Sequence, residues 1–488
     1  MKFLKTTLLK RYILNIQYKN INIVLVVWIK FTTFARLYEY MNLKEHIKAN
    51  TKLALPVIVT QLGQVSVNFI DIIIIARLGE RAVASASLAT SVFIIFLIFL
   101  LGFSFSMSPL ISSSVAKGNS NRVAKIFTHG MTMNVVLALI IILLLELGSP
   151  LMYKTGQDPL IIPDAVSFLK ISAYSLLPLM IFQSYRQFSE GISMTILVTI
   201  ATVVSNIVNV ILNYGLVYGY WGLPEMGVKG SAIATLIARV LMMCMIIIVL
   251  HLNKRSSFYL NLVKWKNFKA VYYRKLVSIG LPSSLQSVFE ISSFAVAAFI
   301  SGMHSYLDTS AHSVTVNLAS MTFQVCVGFG VAATVRVAGF YGVRNMPDLR
   351  KTGFASLYLV IGFMTLCGIF FITFRNHLPL IFFDKDMTEV VHIASRLVII
   401  TAFFQIFDGI QVVCLGCLRG LRDVKIPTLI CFVAYVVFAI PIGYYLCIVQ
   451  KLGAVGTWIG LCLGLGFASI MLLWRFHTMT KTKILVKK

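Results

Sequence analysis

Charge is scarce in this chain, and acidic charge is scarcest. Only 12% of its 488 residues are charged, and Asp plus Glu number 17 against 43 Lys plus Arg. A typical soluble domain carries about a quarter charged residues, so this chain cannot clothe itself in polar surface. No G-x-x-x-x-G-K-[ST] loop occurs, which argues against a nucleotide-driven pump. No HExxH or nucleophile–base motif occurs either, which argues against an enzyme. Cysteine is thin too. There are eight, mostly inside apolar runs, and the Cys414/Cys417 pair has no second Cys/His pair near it in sequence to complete a metal site. Neither a cofactor nor a structural metal is expected.

What fills the chain is apolar. Hydrophobic residues make up 58% of it, and the mean hydropathy is +0.87. Apolar runs long enough to cross roughly 30 Å of hydrocarbon recur from 53–76 through 86–114 and 165–185 to 453–475, about twelve in all. The expected class is an all-α integral membrane protein with the lipid bilayer as its solvent.

The net charge of +26 would suit a nucleic-acid binder. Its distribution favours a membrane explanation, with no nucleic-acid partner. Basic residues gather in alternate loops: Lys117, Arg122 and Lys125; then Lys254, Arg255, Lys264, Lys266, Lys269, Arg274 and Lys275; then Arg344, Arg350 and Lys351; then the C-terminal tail. The loops between carry few. By the positive-inside rule both termini are expected in the cytoplasm, and the protein in a cytoplasmic (inner) membrane. Residues 253–275 divide the helices six and six, with Trp265, Phe268, Tyr272 and Tyr273 suited to the headgroup level.

The halves echo each other. Leu55-Pro56 recurs as Leu281-Pro282, Gly102-Phe103 as Gly328-Phe329, and Gly227/Gly230 as Gly453/Gly456, each 226 positions on. Six crossings separate equivalents, so the halves share one orientation as parallel repeats. The expected organisation is an N-terminal extension over 1–40, an N-lobe over 41–252, the interlobe loop 253–275, a C-lobe over 276–475 and a basic tail over 476–488. Pro56, Pro282 and Pro441 are positioned to bend helices. Gly460 and Gly464 form a close-packing face.

Acids inside apolar runs are costly and therefore informative. Asp71, Glu290 and Asp408 are such acids. Gln61, Gln64, Asn68 and Asp71 fall on one helical face, as do Asn206, Asn209 and Asn213; Gln286 precedes Glu290 by one turn, and Gln405 precedes Asp408. Such stripes face either a cavity or a hydrogen-bonding neighbour helix. Neighbour contacts account for the amides better than for the carboxylates. None of the three acids is matched by an acid 226 positions away, which favours site chemistry over scaffold. A carboxylate in a dry cavity relieves its cost by taking a proton or a cation. His312 and Asn317 are further candidates for lining a C-lobe cavity. Arg186 with Glu190, and Arg419 and Arg422 with Asp423, read as interfacial anchors and local ion pairs.

Several stretches taken together resemble the MATE transporters, their NorM-like branch in particular. They are VNFIDIIIIARLG, YRQFSEGI, NVILNYGLVYG followed by GVKGSAIATLIAR, VFEISSFAV, AHSVTVNLASMTF and FDGIQVVCLGCLRGLRD, in family order over nearly all of 41–475. The resemblance implies two six-helix lobes around a central cavity. It also implies a monomeric exporter of small cationic amphipathic compounds, working against Na⁺ or H⁺. It places an N-lobe cation site on Asp71, Asn209, Asn213 and Thr235, and a C-lobe site for cation or substrate on Glu290 and Asp408. Na⁺ could sit at either. Phe404 stands where that branch often has a Tyr, so the C-lobe site lacks that hydroxyl. The rival reading is a flippase for a lipid-linked precursor, sharing the architecture but needing a basic cavity. Arg239 and Arg336, both inside apolar segments, keep that rival open.

Overall fold

The computed structural model describes residues 42–154, 156–265, 269–384 and 386–481. The 1–40 extension, Lys266 and Phe268 of the interlobe loop, and most of the basic tail lie outside the described residues. From Ile47 onward the chain forms one compact unit.

Among the described residues, twelve helices are long and apolar enough to cross a membrane. In chain order they are α1 (Leu43–Ala76), α2 (Glu80–Ala116), α3 (Ser120–Lys154), α4 (Ile162–Gly191), α5 (Thr195–Tyr218), α6 (Gly227–Leu252), α7 (Ala270–His304), α8 (Tyr306–Gly342), α9 (Met346–Thr373), α10 (Thr388–Gly420), α11 (Lys425–Val449) and α12 (Ala454–Lys481). A short helix, Lys254–Leu260, opens the loop between α6 and α7. All of the apolar segments read from sequence form helices. Two of them break where continuity was expected. Pro109 and Pro178 each clash with the carbonyl four residues back and leave it without its N–H partner. Accordingly α2 is interrupted between Ser104 and Met107, and α4 at Ser175. Pro56 and Pro282 instead sit inside unbroken helices. Around Pro441, α11 relaxes into π-helical turns over Val433–Ala439 and Tyr445–Val449.

The repeat is visible in the packing. A Cβ on Gly102 of α2 would lie 2.7 Å from the Cα of Ser284 on α7, and one on Gly328 of α8 would collide with Ile58 on α1. Ser284 stands 226 positions after Ile58, so the two contacts are copies. A threonine hydroxyl also serves the proline carbonyl in each half: Thr199 donates to Pro56 at 2.7 Å, and Thr428 to Pro282 at 3.1 Å. Gly230 packs on the backbone at Leu216 and Gly456 on the backbone at Leu446, bringing α6 against α5 and α12 against α11. Gly460 and Gly464 meet Gly443 and Ala439 of α11 as the GxxxG spacing implies.

The halves meet near the basic loops. Ser112 donates to the Val335 carbonyl (2.6 Å), Ser284 to that of Phe99 (2.8 Å) and Gln61 to Gln324 (3.1 Å). Asn50 donates to Ser356 (2.7 Å) and accepts from Arg336 (2.6 Å). These contacts join the basic-loop ends and middles of α1, α2, α7, α8 and α9. At the same face Lys117, Arg122, Arg344 and Arg422 crowd together. Partial burial, and then those three arginines, push the Lys117 ammonium below the usual lysine range.

Candidate functional site

A cavity of about 210 Å³ opens within the N-lobe, between α1, α2, α4, α5 and α6. Gln64, Asn68 and Asp71 line it from α1, and Asn206 and Asn209 from α5. Thr235 and Arg239 line it from α6, and Gln183 from α4. The one-face spacing on α1 thus delivers three of its four polar residues to the cavity. The fourth, Gln61, turns away. It accepts from Arg186 at 2.9 Å and donates to Gln324 across the halves.

Asp71 is half-buried near the end of α1. Asn213 Nδ2 donates to its Oδ1 at 2.5 Å, and Asn209 Nδ2 reaches Thr235 Oγ1 at 3.4 Å. Each amide nitrogen thus has a partner, while the amide oxygens do not. Asn209 Oδ1 and Asn213 Oδ1 are buried without a partner. Buried orphan oxygens cost about 1–3 kcal/mol each unless something satisfies them. A carboxylate, two free amide carbonyls and a hydroxyl form the donor set that a hard cation takes. Asp71, Asn209, Asn213 and Thr235 therefore come together.

The C-lobe acids are also neighbours. Asp408 is buried and Glu290 half-buried, each close enough for its charge to act on the other. Among the described residues neither carboxylate receives a hydrogen bond. Gln405, 1% exposed and one turn before Asp408, leaves both its amide oxygen and its amide nitrogen unpartnered. Phe404 packs edge-on against Phe294 and Trp458, so it brings no hydroxyl. A phenol comes from α11 instead. Tyr435 is buried within electrostatic reach of both acids and exchanges hydrogen bonds with Gln411 at 2.7 and 3.0 Å.

Other candidates take structural places. Gln286 donates to the Val424 carbonyl and Thr428 Oγ1, which ties α7 to α11. His312 is 3% exposed, accepts from Trp458 Nε1 at 3.1 Å, and belongs to the packing. Asn317 is half-buried on α8. Arg186 and Glu190 form a 2.8 Å ion pair as expected, but at 5% and 2% side-chain exposure they are no interfacial anchor. Asp423 pairs with Arg475, not with Arg419 or Arg422. Arg419 lies over Phe105, and Arg422 donates to Ser113 across the halves. Cys414 and Cys417 are buried free thiols.

Sequence reasoning missed Gln183 and Tyr435. Gln183 shares a helical face with Arg186, Gln187 and Glu190, the signal that could have found it, whereas Tyr435 stands in an apolar run with no such polar stripe to mark it. Arg336 and Arg239 turn out to be unlike one another. Arg336 binds Asn50 across the halves, whereas Arg239 lines the N-lobe cavity.

The MatE family model matches residues 56–215 and 282–445, one copy in each half. The chain belongs to the MatE family. Its twelve-helix membrane fold is accordingly that of a MATE transporter, and it is not an enzyme. It is 29% identical over 447 residues to the probable multidrug resistance protein NorM of Rhizobium meliloti (strain 1021), covering 89% of this chain and 94% of that protein. It is 30% identical over 433 residues to the corresponding protein of Brucella suis biovar 1 (strain 1330), covering 87% and 92%. Its fold matches an outward-facing conformation of a multidrug resistance MATE family transporter with a TM-score of 0.83 at 16% identity, over 91% of this chain and 97% of that one.

Proposed function

We propose that this protein is a cation-coupled antiporter that exports small cationic amphipathic compounds in exchange for Na⁺ or H⁺. The observation that carries this reading is the Asp71 cluster: one carboxylate in a 210 Å³ cavity, with Asn209 and Asn213 oxygens left unpartnered around it. A group so placed cannot stay bare. It takes a proton, a cation, or the ammonium of a substrate, and these exclude one another. Exclusion at one site is sufficient for exchange. The names of the NorM relatives support a multidrug substrate range.

The contacts at the basic-loop face close one side of the molecule. With that face in the cytoplasm, as the loop charges favour, the closed side is the inner one and the state is open outward. Ion arrival at Asp71 from outside then displaces the bound compound outward. The return step reopens the inner face by parting the contacts at Ser112, Ser284 and Asn50. The protein acts as a monomer in this scheme, since each lobe holds its own site. A lipid-linked precursor flippase would need its basic residues gathered in one central cavity, and the separate placements of Arg239 and Arg336 count against that.

The test is transport by purified protein in liposomes, with Na⁺ and proton gradients imposed separately. Uptake of a cationic dye driven by one gradient, and lost in Asp71→Asn, is expected. Dye movement indifferent to both gradients would overturn the reading.

A further inference from the structure

The N-lobe cavity holds two charged groups of opposite sign. Asp71 enters from α1 and Arg239 from α6. The guanidinium of Arg239 is fixed in place. Its Nη1 donates to Ser175 Oγ at 2.5 Å, at the break in α4, and its central carbon lies 5.7 Å from the Phe93 ring centre. A guanidinium carries five N–H donors, and the serine uses one. The lining also bears unpartnered polar atoms: Gln183 Oε1, on a residue 4% exposed, and Asn206 Nδ2. The cavity therefore offers a negative pole, a positive pole, and a neutral acceptor and donor in the same lining. At about 210 Å³ it is smaller than the roughly 300–1,000 Å³ that enclose a whole drug-sized ligand, so it takes a head group.

We propose that this cavity is a dipolar head-group site and that its preferred substrate is a zwitterionic amphipath, with an ammonium toward Asp71 and a carboxylate toward Arg239. This rests on the reading that Asp71 seats the cationic group of the substrate. A simple cation satisfies Asp71 but must share the cavity with the arginine charge. A zwitterion pairs both groups and adds a charge-assisted hydrogen bond from a guanidinium that suits carboxylates. The fixed Ser175 and Phe93 contacts mean that little side-chain freedom is lost when the anion arrives. Arg239 thus sets substrate specificity, while Asp71 sets ion exchange.

The experiment uses Nε-dansyl-lysine, which bears an α-ammonium and an α-carboxylate, and its methyl ester, which keeps only the ammonium. Binding of each is measured by dansyl fluorescence to the full-length protein in nanodiscs. The wild type is expected to hold the zwitterion about tenfold or more tighter than the ester. Arg239→Gln should abolish that preference by weakening the zwitterion, with the ester unchanged or tighter. Arg239→Lys should keep part of it, which covers the case in which the glutamine variant does not fold. Equal affinities in the wild type, no zwitterion binding, or loss of both probes together in a folded Arg239→Gln protein would overturn the proposal. Asp71→Asn separates the two readings. If the ester still depends on Asp71 while the zwitterion preference is absent, only the dipolar site fails. If the ester ignores Asp71, the antiport reading fails with it.

Discussion

At the scale of single residues, four acids inside the helices take three different roles in this chain. Asp71 has the unpartnered oxygens of Asn209 and Asn213 near it, Glu290 and Asp408 lie within electrostatic reach of one another, and Glu190 is paired to Arg186 inside α4. Asp71→Asn keeps the size and removes the charge. Gradient-driven export should fall to background while the protein keeps its gel-filtration profile, and normal accumulation against a gradient would remove Asp71 from the mechanism. Glu190→Gln should act differently. It strands Arg186 in a buried place and should cost about 3 kcal/mol or more of stability; a melting curve in detergent checks this, and an unchanged midpoint would contradict it. The acids and amides were legible because intramembrane polarity is rare and helical spacing groups it onto faces. Which face meets a cavity was less legible. Gln61, Gln64 and Asn68 share a stripe, yet only a neighbour from another helix, Arg186, decides that Gln61 turns aside. Gln286 and His312 were misleading for the same reason, because Thr428 and Trp458 lie more than a hundred residues away.

At the scale of helices, the repeat was readable from Gly102/Gly328 and Pro56/Pro282, since a close approach admits only glycine and each half needs the same approach. The helix breaks were not anticipated, although Pro109 and Pro178 stood in the sequence. A proline bends or breaks a helix according to whether the freed carbonyl finds a partner, and partners are tertiary. The Gly102–Ser284 and Gly328–Ile58 contacts hold the halves together just on the basic-loop side of the helix middles. Gly102→Ala puts a methyl 2.7 Å from backbone that cannot rotate away. It should therefore shift the population away from the state closed on that face. Spin-label distances between α2 and α7 should lengthen in Gly102→Ala, and an unchanged distance distribution would show that the contact does not hold the closed state.

At the scale of the whole molecule, membrane solvation explains the composition, and charge asymmetry predicts the orientation. Lys117, Arg122, Arg344 and Arg422 share one face, and a cysteine at Lys254 on that side should escape an impermeant thiol reagent in intact cells. A cysteine at Lys451, between α11 and α12 on the opposite side, should be labelled. The reverse pattern would invert the topology. The two lobes differ in what surrounds their acids: free oxygens at Asp71, a second carboxylate and a phenol at Asp408. The proposed scheme therefore assigns ion exchange and the seating of the substrate's ammonium to the N-lobe, with the C-lobe acids as a second point of substrate contact. The most direct test is ion release on addition of a cationic substrate to purified protein, followed with a pH indicator and with ²²Na⁺ in the wild type, Asp71→Asn and Asp408→Asn. The account predicts release that is lost in Asp71→Asn and retained, with altered substrate affinity, in Asp408→Asn. Release that survives in Asp71→Asn and vanishes in Asp408→Asn would contradict it.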